Sequence, residues 1–302
     1  MTLAQTICET TRNHCLKDKG VVMGQCLDMA GNVAGTVPSL TEEQGLLELS
    51  MADVMASGIA VGYALGGRWP VFVTRYQGFQ WFNAPFFANY AAKCKELWNY
   101  DCPIFIRSIG MDGSAGPTIG PVASCSHHGI FTRVNGVKVF APMTPREWLS
   151  GWDLWKKTGG PVYSSEYRRG FTLTDEMPDI VRPDADITLL AISSTRLNAL
   201  EAIPMLEKEG IICNLVHLVW LKPFSVDEKI LDPLEKSKLG GLVLDSDFEN
   251  GVSKSIAFDI MQKTSKKVRV LGLEDRTAGF ASYLDNLPPT PAKICQFIKN
   301  NL

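Results

Sequence analysis

A histidine pair, His127-His128, closes a loop of small residues, IGMDGSAGPTIGPVASCSHH over residues 109–128. Imidazoles titrate near neutrality and can pass protons. Two histidines at a loop-to-helix junction serve equally well as a cap or a surface feature. Loops of this length inside compact domains are usually functional. Three further segments, 24–31, 74–79 and 245–251, follow apolar strands, and open α/β sheets bind ligands at such carboxyl ends. Other chemistries find no support. The 4 His have no zinc-ligand spacing. The 8 Cys include no CxxC pair and read as free, buried thiols of a reducing compartment. There is no GxGxxG after a strand, no GxxxxGK[ST] and no GxSxG.

The elements that position these segments alternate between strand and helix. Strands are predicted at 20–24, 70–74, 103–109, 137–142 and 161–165, with helices over 44–65, 82–98 and the TPREWLSGWDLWKK stretch. A polar, Pro-containing stretch at 171–185 reads as a linker. Alternation then restarts with DITLLAIS, a helix to Gly210, IICNLVHLVWL as one strand, and further pairs to the C-terminus. Such alternation means parallel sheets covered by helices. The expected fold is α/β, with two doubly wound domains at 1–175 and 184–302. At 302 residues, 45% hydrophobic and 21% charged, the composition is that of a globular protein. A net charge of −2 leaves no basic excess for nucleic acid. No apolar run reaches the roughly 18 residues of a membrane span, and the polar N-terminus lacks a signal-peptide core. A cytoplasmic location is expected.

LSMADVMASGIAVGYALGGRWPVFV, then YQGF, then FANYAAK closely resemble the pyrimidine-binding domain of transketolase-like thiamine diphosphate enzymes. The nearest likeness is to the β subunit of the first component of 2-oxoacid dehydrogenases. GPVASCSHHGIFTRVNGVKVFAPMTPREW matches that family's stretch ending in P-x-T-P. DITLLAIS, VHLVWLKPFS and GLVLDSDFENG resemble its transketolase C-terminal domain. The likeness runs in order over about residues 20–300. It implies a shared cofactor: the β-type chain holds the aminopyrimidine of thiamine diphosphate, and an α-type partner holds the diphosphate and Mg2+ through a GDG…N motif. That motif is missing here, which fits the division of labour and implies an α2β2 assembly.

The family's Glu that hydrogen-bonds the pyrimidine falls at Asp53, counted back from Gly58. One methylene is missing, so about 1.5 Å of reach is lost. Asp53 as an ordinary exposed helix carboxylate is the other reading, and Glu48 is a fallback. Family aromatics fall 23 and 26 residues beyond, at Tyr76 and Phe79, where rings can stack a flat heterocycle. The family's acidic G-E-D becomes Gly24-Gln25-Cys26, which puts Gln25 at the cofactor. The His of the usual Q-H-S becomes Ala123, with Ser124 and Ser126 retained; His127 or His128 would have to enter from a shifted backbone. The resemblance thus implies a subunit that, with its partner, decarboxylates a 2-oxo acid and transfers the acyl group, in a dehydrogenase or an acyloin-forming reaction. Two alternatives stand beside it. One is the C-terminal half of a split transketolase, with Arg75, Arg107, Arg168 and Arg169 as candidates for sugar-phosphate binding. The other is a non-catalytic scaffold paralogue.

Overall fold

In the computed structural model the described residues are 1–112, 125–279 and 283–301. The first half runs α1 (Leu3–Lys17), β1 (Gly20–Gly24), α2 (Met29–Gly35), β2 (Leu46–Glu48), α3 (Asp53–Leu65), β3 (Trp69–Thr74), α4 (Gln80–Phe86), α5 (Cys94–Trp98), β4 (Phe105–Gly110), α6 (Gly129–Thr132), β5 (Lys138–Phe140), α7 (Pro145–Thr158) and β6 (Val162–Tyr167). The second runs β7 (Ile187–Ile192), α8 (Thr195–Glu207), β8 (Cys213–Leu218), β9 (Trp220–Lys222), α9 (Glu228–Lys236), β10 (Gly241–Phe248), α10 (Val252–Lys263), β11 (Val268–Leu273) and α11 (Pro291–Asn301).

The strands GVVMG, FIRSIG and ITLLAI are buried at every position, as parallel strands covered on both faces must be. They build two sheets. The first has the order β2-β1-β3-β4-β6-β5-β9 and the second β11-β10-β7-β8. Every pairing is parallel except β5 with β9. The fold is therefore α/β with mostly parallel sheets. In the first sheet the chain leaves β1 towards β2 on one side and leaves β3 towards β4 on the other. That divergence opens a crevice above the ends of β1 and β3. Helix α3 lies over this region on a stripe of small buried residues, Ala56, Ser57, Ala60, Val61 and Ala64. Helix α7 starts at a capping box of Thr144 and Glu147, with Pro145 in its first turn. Its buried Trp148, Trp152 and Trp155 surround Phe105 of β4.

Three segments differ from the sequence expectation. The long helix expected over 44–65 begins only at Asp53. Gly45 has φ +99°, outside the right-handed helical region, and 46–48 pair with β1 instead. The helix expected over 82–98 is broken. Pro85 lies inside α4, a π-helical turn follows at Phe87–Ala91, and Asn99 in the left-handed region stops α5. IICNLVHLVWL is two strands: the chain leaves the second sheet at Val219, and β9 adds an antiparallel edge to the first. Trp220 there stacks on Phe140, with centroids 5.0 Å apart. All eight cysteines are free thiols; Cys8 and Cys26 are half-exposed and the other six are buried.

Candidate cofactor and substrate site

Asp53 is the first residue of α3, where the helix end favours a carboxylate. The segment before it returns from β2 over the carboxyl end of β1. Gln25 and Cys26 follow β1 directly, and Arg75 and Tyr76 follow β3. These residues converge on a cavity of about 500 Å³. Its lining includes Gln25, Asp53, Arg75, Tyr76, Phe79 and Arg168, with Met29, Met51 and Asn83 at other points of the wall. The volume and the mix of apolar wall with a few polar groups suit a small-molecule site. Tyr76 and Phe79 present rings with centroids 6.2 Å apart, inclined at 42°. Burial raises the Asp53 carboxyl above its ordinary pKa, and the nearby Gln25 side chain opposes that rise. Gln25 Nε2 nonetheless completes no well-formed hydrogen bond among the described residues.

The loop after β1 is pinned from three directions. The Glu48 carboxylate accepts hydrogen bonds from the backbone N–H of Cys26 and of Leu27, the latter at 2.7 Å. Gly24 O accepts from Leu49 N at 2.7 Å. Arg75 Nη1 donates to Cys26 O at 3.3 Å. Glu48, the fallback carboxylate, thus fixes the backbone that carries Gln25, and it does not line the cavity.

The histidine pair is placed elsewhere. His127 borders a second cavity of about 490 Å³ with Trp81, Arg133 and Phe248. Its Nδ1 lies 3.4 Å from the Trp81 indole nitrogen, and its backbone N–H donates to Gln77 Oε1 at 2.7 Å. His128 is fully buried between the two sheets. Its Nδ1 is 3.1 Å from Ser165 Oγ, and its Nε2 is 3.0 Å from Asp245 Oδ1 and 3.8 Å from Asp247 Oδ2. Burial alone would lower its pKa; the two carboxylates outweigh that, and it lies above the usual value. Neither histidine lines the Asp53 cavity. Ser126 pairs with Ser246, Oγ to Oγ at 2.7 Å, while Ala123 and Ser124 lie outside the described residues.

The four arginines separate in the same way. Arg107 is completely buried and donates to both oxygens of Glu166, at 2.9 and 2.8 Å. Arg169 faces Asn198 at 2.6 Å, Glu201 at 3.4 Å and Asp112 at 3.9 Å. Only Arg75 and Arg168 reach the cavity. Asn83, Met29 and Met51 were not singled out by the sequence reading. Asn83 lies inside an apparently continuous helical pattern, where nothing marks the face it shows. Gln77 carried no signal either, yet its amide joins Ser108, Ser165 and Glu166 to the His127 backbone.

The chain matches known proteins along its length. The "Transketolase, pyrimidine binding domain" family matches residues 2–168 and the "Transketolase, C-terminal domain" family matches 178–294. A pyruvate dehydrogenase E1 component subunit beta of Staurastrum punctulatum is 26% identical, over 93% of this chain and 91% of the relative. That of Bacillus subtilis is 23% identical, over 86% and 84%. A solved structure described as "Split gene transketolase, inactive beta4 tetramer" superposes with a TM-score of 0.74, covering 100% of this chain and 98% of that one. At 17% identity that last likeness is one of fold. The chain belongs to the transketolase pyrimidine-binding domain family, with a transketolase C-terminal domain after it.

Proposed function

We propose that this chain is the β-type subunit of a two-chain thiamine-diphosphate enzyme that cleaves a 2-oxo acid and transfers the acyl group, in a dehydrogenase or acyloin-forming reaction. The observation that carries this reading is the convergence of Asp53, Gln25, Tyr76 and Phe79 on one cavity at the ends of β1 and β3. The set suits an aminopyrimidine: one carboxylate acceptor, one buried amide donor that completes no well-formed hydrogen bond among the described residues, and two aromatic faces. Bound thiamine diphosphate would supply the carbon nucleophile and electron sink for chemistry next to a carbonyl. Asp53 would hold a proton shared with the ring at its carboxylate, in a setting that already raises its pKa. Tyr76 and Phe79 would orient the ring. His127 and His128 remain proposals for proton handling only through movement of the chain or of a partner, since neither lines this cavity.

The α-type partner would carry the GDG…N motif and Mg2+, in an α2β2 assembly. We take the units as residues 1–175 and 184–302 and the compartment as the cytoplasm. Among the described residues no helix is long and apolar enough to cross a membrane. A second reading, ketol transfer between sugar phosphates by a split transketolase, is favoured by the two arginines on the cavity wall.

The test is calorimetric titration of the chain, co-expressed with an α-type partner, with thiamine diphosphate and Mg2+. Saturable binding is expected in the wild type and its loss in Asp53→Ala. Asp53→Asn, which keeps the shape and removes the charge, should retain most of the affinity and lower turnover by about 10²–10⁴-fold. A stable complex that binds no cofactor would make the chain a scaffold and sink the reading.

A further inference from the structure

We propose that the second cavity, bordered by Trp81, His127, Arg133 and Asp247, is a binding site for an α-amino acid with a large apolar side chain. The proposal does not rest on the thiamine reading, because this cavity shares no lining residue with the one at Asp53. At about 490 Å³ it has the size of a small-molecule site. Both halves of the chain build it. Trp81 comes from α4, Ile130 from α6 and Arg133 from the residue after α6, while Asp247 and Phe248 end β10. Rings make up much of the apolar wall. His127 has its centroid 6.3 Å from that of Trp81 and 6.0 Å from that of Phe248. Ile130 adds an aliphatic surface. A wall of this kind favours an apolar side chain that leaves water.

The polar part of the wall carries one charge of each sign, and the two do not pair. Arg133 is exposed and has no carboxylate within ion-pairing distance among the described residues. Asp247 is almost fully buried. Its Oδ2 accepts from Gly129 N at 2.8 Å and its Oδ1 from Phe248 N at 2.7 Å, and the buried His128 Nε2 lies 3.8 Å from Oδ2. A carboxylate offers about four lone-pair positions, so two backbone donors leave room for a further one. Burial lifts the Asp247 carboxyl to about 6, which leaves it ionised at pH 7.5. A simple anion in this cavity would meet Asp247, and a simple cation would meet Arg133. A molecule with a carboxylate and an ammonium on one carbon satisfies both. The Arg133 fork takes the carboxylate, Asp247 accepts from the ammonium, and the side chain of the same carbon lies against the rings.

The full chain is titrated by calorimetry at pH 7.5 with L-phenylalanine, with 3-phenylpropanoate, which lacks the ammonium, and with 2-phenylethylamine, which lacks the carboxylate. L-phenylalanine is expected to bind about fivefold or more tighter than either analogue, and tighter than L-alanine. Arg133→Gln should weaken L-phenylalanine and 3-phenylpropanoate by about fivefold or more and should not weaken 2-phenylethylamine. Trp81→Ala should weaken all three. Asp247→Asn should weaken the two ligands that carry an ammonium. Asp247 also holds the Gly129 backbone, so circular-dichroism melts check that this variant folds, and the Arg133 and Trp81 variants decide the case if it does not. Asp259, on a neighbouring cavity of about 160 Å³ that Arg133 also borders, is the control: Asp259→Asn should leave binding unchanged. Absence of L-phenylalanine binding at millimolar concentration overturns the site. Equal binding of a singly charged analogue overturns the zwitterion, and binding indifferent to Arg133 and Trp81 places the ligand elsewhere and overturns the assignment.

Discussion

Asp53 and Glu166 show how setting decides what a carboxylate does. Asp53 faces a cavity, has no cationic partner within ion-pairing distance among the described residues, and is made less acidic by burial. Glu166 is completely buried and accepts from Arg107, from Trp148 Nε1 at 2.9 Å and from Ser164 Oγ at 3.3 Å. Its charge is used up in packing α7 and β4 around β6. Removing it while leaving Arg107 in place strands a guanidinium with no water to solvate it. Glu166→Gln should therefore cost about 3–5 kcal/mol of unfolding free energy, read by urea denaturation. A change below about 1 kcal/mol would show that water reaches Arg107.

At the scale of elements, the segment after β1 combines a fixed part and a strained part. Glu48, Leu49 and Arg75 fix residues 24–27. Beyond them, α2 ends with five consecutive residues of positive φ: Gly31, Asn32, Val33, Ala34 and Gly35, between 53° and 75°. Glycine adopts this region freely; alanine and the β-branched valine do so at a cost of about 1–2 kcal/mol each. Val33 is buried and Ala34 is exposed. Ala34→Gly should thus raise stability by up to about 1 kcal/mol without loss of packing, seen as a higher Tm. A lower Tm would mean that this turn is not left-handed in solution.

Across the whole molecule, the two sheets are joined by strand and by charge. Strand β9 borrows the edge of the first sheet, and Glu147 of α7 meets Arg196 of α8 at 2.6 Å. Buried between the sheets, His128 faces Asp245 and Asp247 of β10 and Ser165 of β6. The His128 pKa is raised in the folded chain. Below its unfolded value of about 6.5 the imidazolium is present in both states, and the ion pair contributes in full. As pH rises through the higher folded value, the proton and that stabilisation are lost. Asp247, pushed up to about 6 chiefly by burial, acts with the same sign at lower pH, because the folded chain again holds more protons than the unfolded one. His14 and His217, whose pKa values burial lowers, act with the opposite sign over the same range, so the His128 contribution is read as a difference: the stability of the wild type relative to His128→Gln, measured as Tm, should fall as pH rises from about 6 to 8. A difference between wild type and His128→Gln that stays constant over that range would contradict the charged pairing.

The sequence by itself determined the alternation of strand and helix, because apolar runs of strand length punctuated by Gly and Pro have one stable arrangement, a parallel sheet under helices. The family resemblance, carried over residue by residue, pointed to Asp53, Gln25, Tyr76 and Phe79, and these four line one cavity. The sequence could not show that Gly45 turns the chain back into the sheet and so makes Asp53 a helix start, or that Val219 ends one strand and sends the next to the other sheet. Both follow from long-range pairing, which local pattern does not encode. Nor could it sort like residues by partner. Arg75, Arg107, Arg168 and Arg169 read alike as basic residues near strand ends, and His127 and His128 as one pair. Tertiary structure alone gave Arg107 a buried carboxylate, left Arg75 and Arg168 on the cavity, and sent one histidine to the junction of the sheets. What a side chain can do is set by what else is folded within a few ångströms of it, and those neighbours come from distant parts of the chain.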